Sequence, residues 1–133
     1  MGLLTTLKEL FAPKSYAETE FGMSDIPFFL ALLRACPDGS RLTFHQSETE
    51  SFVHAFREWS HRKKAQDFEA DHYTVDRRFI AVAERLAATG ELQLDHHFTI
   101  VAPDDRLLCD SLDDFTIVTL ADDIRQSIRD RAA

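Results

Sequence analysis

"LDHHFTIVAPDDRLLCDSLDDFTIV", residues 94–118, sets two adjacent histidines and a series of aspartates inside one apolar, alternating stretch. Its reading decides the C-terminal half of the fold. Successive side chains of an extended strand point to opposite faces. His96 therefore shares a face with Leu94, Phe98 and Ile100, and His97 with Asp95, Thr99 and Val101. Two histidines on opposite faces cannot grip one metal ion.

The segment Pro103-Asp104-Asp105 reads as a tight turn, with proline at a favoured position and an aspartate that tolerates the left-handed conformation. Matching apolar faces then selects the register, with Ile100 opposite Cys109. This pairing predicts Leu107 and Cys109 on the face of Phe98 and Ile100, and Asp110 opposite Thr99 on the other face. Asp110 becomes the diagonal neighbour of His97, roughly 7 Å away between backbones. An ion pair or hydrogen bond between His97 and Asp110 is expected, and these two residues are the candidate catalytic dyad. A cross-strand surface pair explains the same positions, and no nucleophile accompanies them. Cys109 faces the opposite side of the strand from His97 and reads as a small core residue, as does Cys36.

Working outward, the chain after Gly90 reads as three strands, followed by a helix over about 121–131 whose first turn holds Asp122 and Asp123, where negative charge is favoured. Before them, Phe79, Ile80, Ala83, Leu86 and Ala87 recur at helical spacing over 76–89, and Gly90 supplies a left-handed stop. "HYTV", 72–75, and "RLTFH", 41–45, read as strands, the latter after a Pro-Asp-Gly turn. A helix over 48–64 opens on the capping box Ser47/Glu50 and buries a stripe of Phe52, Phe56 and Trp59. "IPFFLALLRAC" is a helix that accepts Pro27 in its first turn and is apolar nearly all round. It is expected to be a buried central helix, or to be covered on one face by a second copy of the chain, giving a homodimer through 26–36. Residues 1–24 read as a short amphipathic helix, 3–11, plus a loop, peripheral to the rest. The whole is an α+β fold over 1–133: one domain, helices packed on a small, mainly antiparallel sheet that ends in a three-strand meander and a C-terminal helix.

A chain of 133 residues buries roughly two thirds of the surface its unfolded form exposes, so folding needs neither a metal nor a disulfide. Two cysteines in apolar surroundings suggest a reducing cytoplasm. No apolar run reaches about 18 residues, so no membrane span is expected. The four glycines stand apart at 2, 22, 39 and 90, which excludes a Gly-rich phosphate loop, and no cofactor is implied.

Net charge is −8. Residues 91–133 carry 10 acids against 4 bases, or −6 of that total. Such a field repels nucleic acid and anionic membrane and favours a basic protein partner. The basic run "HRKK", 61–64, sits near a predicted helix end, where cations complement the macrodipole. Asp104, Asp105, Asp113 and Asp114 read as turn residues and as the partner-binding patch. One other cluster is a metal candidate: His54, Glu58 and His61 lie within about 60° of one another on a helix. The apolar stripe lies directly opposite them, as expected of a solvated face. Taken together, the sequence favours a small acidic cytoplasmic module, regulatory or immunity-like, that docks a basic partner without catalysis. The alternative is a small metal-dependent or His/Asp hydrolase-like enzyme.

Overall fold

The computed structural model describes residues 15–45, 70–92, 97–112, 115 and 117–132. Among the described residues four helices, α1 (Tyr16–Phe21), α2 (Asp25–Ala35), α3 (Arg77–Ala88) and α4 (Asp122–Ala132), accompany five strands, β1 (Ser40–His45), β2 (Ala70–Val75), β3 (His97–Val101), β4 (Leu107–Leu112) and β5 (Ile117–Leu120). The strands form one antiparallel sheet of order β2-β1-β3-β4-β5. The α+β architecture, the closing meander β3-β4-β5 and the final helix are as the alternation and periodicity predict. The expected helices over 3–11 and 48–64 lie outside the described residues.

Local chemistry explains the element boundaries. The Asp76 carboxylate accepts the Phe79 N–H at 2.9 Å and starts α3, while Gly90, at φ 77°, ends the turn that follows. Asp122 and Asp123 occupy the first turn of α4, and Arg129 and Arg131 the last, each sign complementing the macrodipole.

Alternation sorts the sheet into two faces. Leu42, Phe44, Tyr73, Val75, Phe98, Ile100 and Cys109 turn inward and are buried. They meet Phe28, Phe29, Leu32 and Leu33 of α2, Phe79 and Ala83 of α3, and Ile124 and Ile128 of α4 in one core. Phe98 is its hub, with ring contacts to Phe29 at 5.4 Å, Phe115 at 5.4 Å and Phe44 at 6.0 Å. The described part of the apolar helix is thus mainly buried, as one of the two expectations had it.

Two expectations are corrected. The stretch read as a loop before α2 contains α1. Its signals are a Ser15 hydroxyl that accepts the Glu18 N–H at 3.3 Å and a left-handed Gly22, and of its aromatic ends Phe21 stacks on Phe28 while Tyr16 meets it edge-on. Leu107, expected on the inward face, is 48% exposed. Ile100 pairs with Cys109 as predicted, but Val101 pairs with Leu107. β4 therefore carries one extra residue at a bulge, Leu108 takes the buried position, and Leu107 is moved to the outer face.

No helix among the described residues is long and apolar enough to cross a membrane.

Candidate functional site

The outer face of the sheet carries the chemistry. Thr99 pairs with Asp110, which makes Asp110 the diagonal neighbour of His97. The His97 Nε2 and Asp110 Oδ1 atoms are 3.0 Å apart, and both side chains are about one third exposed, 36% and 32%. The expected cross-strand pair is therefore formed. His96, its sequence neighbour, lies outside the described residues.

A second imidazole joins this pair. β1 runs beside β3, and its last residue, His45, is directly opposite His97. The two rings are 4.3 Å apart between centroids and tilted by 33°. His45 Nε2 lies 3.1 Å from the Thr99 hydroxyl, so His45, His97, Thr99 and Asp110 form one polar group spanning three strands. Along the sequence His45 has no evident partner. Its one usable signal was position: His45 follows Phe44 as His97 precedes Phe98, so both belong to the polar side of their strands. Nothing local said that these strands would be neighbours.

The group offers an imidazole oriented by a carboxylate and a second imidazole beside a hydroxyl, a proton-transfer arrangement lacking a partner nucleophile of the cysteine kind. Both cysteines are in the core. Burial, and secondarily the charge of Asp123, push the Cys36 thiol up to about 12. Burial, with smaller contributions from Cys36 and Asp110, pushes Cys109 well above its ordinary range. Neither forms the thiolate that nucleophilic attack needs. Among the described side chains, no three of His, Cys, Asp or Glu are grouped so as to hold a metal. His54, Glu58 and His61 lie outside the described residues.

A second feature is the acidic end of the sheet. The β3–β4 turn, with Asp105 at φ 70°, meets the start of α4, where the Ala121 N–H donates to the Leu108 carbonyl at 3.0 Å. Asp122 and Asp123 are thereby brought to the same end of the sheet as Asp104, Asp105 and the exposed Leu107. The cluster is laced with cations. Arg106 makes two 2.9 Å bonds to Asp123, Arg41 pairs with Asp105, and Arg125 reaches Asp122 at 3.1 Å. The Arg106 hydrogen bond holds the Asp123 carboxyl below its usual range. Asp113 and Asp114 lie outside the described residues. Asp122 and Asp123, read from the sequence as negative charge favoured in the first turn of the last helix, are brought to this end by the tertiary structure.

A groove of about 300 Å³ between α2 and α4 is lined by Met23, Pro27, Leu30, Ala31, Arg34, Ile128 and Arg131. It holds the stripe of α2 that is turned away from the sheet.

No family model, no curated protein and no solved structure matches the chain.

Proposed function

We propose that this protein is a non-catalytic interaction module, regulatory or immunity-like in kind, that docks a basic protein partner through the end of its sheet built from the β3–β4 turn and the start of α4. The observation that carries this reading is the half-exposed Leu107, at 48%, at the same end of the sheet as four carboxylates from two separate elements. An apolar anchor inside a charged rim is the usual anatomy of a protein interface. The cations already present do not oppose docking, because ion pairs this exposed are screened by solvent and contribute little. The carboxylates can exchange Arg41, Arg106 and Arg125 for a partner's basic side chains at little cost. Complementary charge then steers encounter and fixes orientation, while Leu107 supplies burial.

The experiment is capture of the partner from the native host, followed by association kinetics with purified components. Replacing Asp104 and Asp122 by lysine is expected to slow association, and added salt to slow the wild type in parallel. Leu107→Ala is expected to quicken dissociation. A captured partner indifferent to all three treatments rules out this surface.

One observation favours the enzymatic alternative: the His97–Asp110 bond of 3.0 Å with a second imidazole beside it, which is the orienting half of a His/Asp site. Turnover lost in both His97→Ala and Asp110→Asn would decide for it.

A further inference from the structure

The groove between α2 and α4 has two unlike parts. Met23, Pro27, Leu30 and Ala31 recur three and four residues apart and so form one stripe, which lines the groove of about 300 Å³ together with Ile128 of α4. Ala31 and Ile128 are buried, and Met23 and Leu30 are partly buried against the core, so this part is apolar throughout. The other part is cationic. Arg34 continues the α2 stripe three residues after Ala31, and Arg131 stands three residues after Ile128. Arg131 Nη2 donates to the Arg34 carbonyl at 3.3 Å, one of the acceptors that a helix leaves open at its C-terminus. That contact holds the Arg131 guanidinium at the Arg34 end of the groove. Arg34 also pairs with Glu84 at 3.5 Å, but the two side chains are 40% and 49% exposed, and a pair so open to water is readily exchanged. Among the described lining residues there is no acid, on a chain whose net charge is −8.

We infer that this groove binds a free single-chain amphiphilic carboxylate of the fatty-acid kind, its alkyl chain along Leu30, Ala31 and Ile128 and its head group at Arg34 and Arg131. The volume is at the lower end of the range for small-molecule sites, which suits one short chain rather than a protein surface. An apolar trough that ends in two cations calls for a ligand with the same division, apolar along its length and anionic at one end. The planar guanidinium fork matches a carboxylate with two parallel hydrogen bonds. An anionic bilayer offers similar head-group chemistry, but a net charge of −8 opposes approach to such a surface.

This site is independent of the docking reading, since Leu107 and the Asp104–Asp105 turn take no part in it and the test needs no protein partner. The full chain is titrated at neutral pH with decanoate, below its micelle-forming concentration, and followed by calorimetry and amide chemical shifts. One decanoate per chain is expected, with the largest shifts at Leu30, Ala31 and Ile128. Octanoate, two methylenes shorter, should bind about tenfold more weakly. Decyltrimethylammonium, with a comparable chain and the opposite charge, should leave the groove unperturbed. Arg34→Gln combined with Arg131→Gln alters only exposed side chains and should weaken decanoate roughly three- to tenfold. Absence of shifts at the groove overturns the inference, as does equal binding of the ammonium or an affinity unchanged in the arginine variant. Vesicles containing phosphatidylglycerol that perturb the same residues while free decanoate does not overturn it in favour of a membrane surface. Two further occupants overturn it as well: a second copy, seen as a sedimentation dimer with intermolecular Overhauser contacts at Leu30, and residues 1–14 of the same chain, seen as intramolecular ones.

Discussion

The two faces of the sheet are built by the same five strands and obey different rules. On the inner face, Phe98 touches three aromatic rings from two directions, and Leu42, Phe44, Ile100 and Leu108 are fully buried around it. On the outer face, the alternate residues of the same strands are His45, His97, Thr99 and Asp110, joined by contacts of 3.0 Å and 3.1 Å and left partly exposed. The inner face draws its energy from area removed from water, which many residues share. The outer face draws little energy from its contacts, and its specificity comes from strand register.

The sharpest way to break this contrast is at Phe98. Phe98→Ala is expected to destabilise the protein by about 3–5 kcal/mol in denaturant unfolding, because the ring has neighbours on every side and the cavity cannot collapse. A loss below about 1 kcal/mol would mean that the inner face is not the core. The adjoining outer residue supplies the control, since Thr99→Ala should cost no more than about 1 kcal/mol.

The buried thiols sharpen the comparison in a second way. Cys36 ionises near 9.0 when unfolded and near 12 in the fold. Between those values the unfolded chain releases a proton that the native state keeps, so stability is intact below about pH 9 and falls as pH rises towards 12. Denaturation midpoints measured across that range should decline, and less steeply in Cys36→Ala. Identical pH profiles in the two proteins would contradict the burial of this thiol.

A smaller effect is expected at a site belonging to neither face. Asp76→Ala removes the oxygen that accepts the Phe79 N–H and should cost about 1 kcal/mol, whereas Asp76→Asn should restore most of it. The smallest effect is expected on the outer face. A double-mutant cycle of His97→Ala and Asp110→Ala should give a coupling of roughly 0.2–1 kcal/mol that shrinks with added salt. Coupling several times larger would mean that this face is covered and dry, and would remove the contrast between the faces.

The sequence by itself determined whatever depends on neighbours along the chain. Alternation over 97–101 and 107–112 was enough to predict the strands, the Ile100–Cys109 register and the His97–Asp110 pair, because a short turn leaves two strands only one way to match their apolar faces. Gly90 marked the end of α3 in the same manner. The same alternation put Leu107 on the wrong side, since it contains no sign of an extra residue and a bulge is chosen by the packing of Leu108. Tertiary structure alone decided that β1 lies between β2 and β3, and so that His45 meets His97 across more than fifty residues of sequence. It alone brought Asp122 and Asp123 to the turn of Asp104 and Asp105. The physical reason is the same in both cases: a buried apolar pattern records which face of a strand is inward, but the order of strands in a sheet is set by the core as a whole, and polar residues on the opposite face are carried along to partners they did not select.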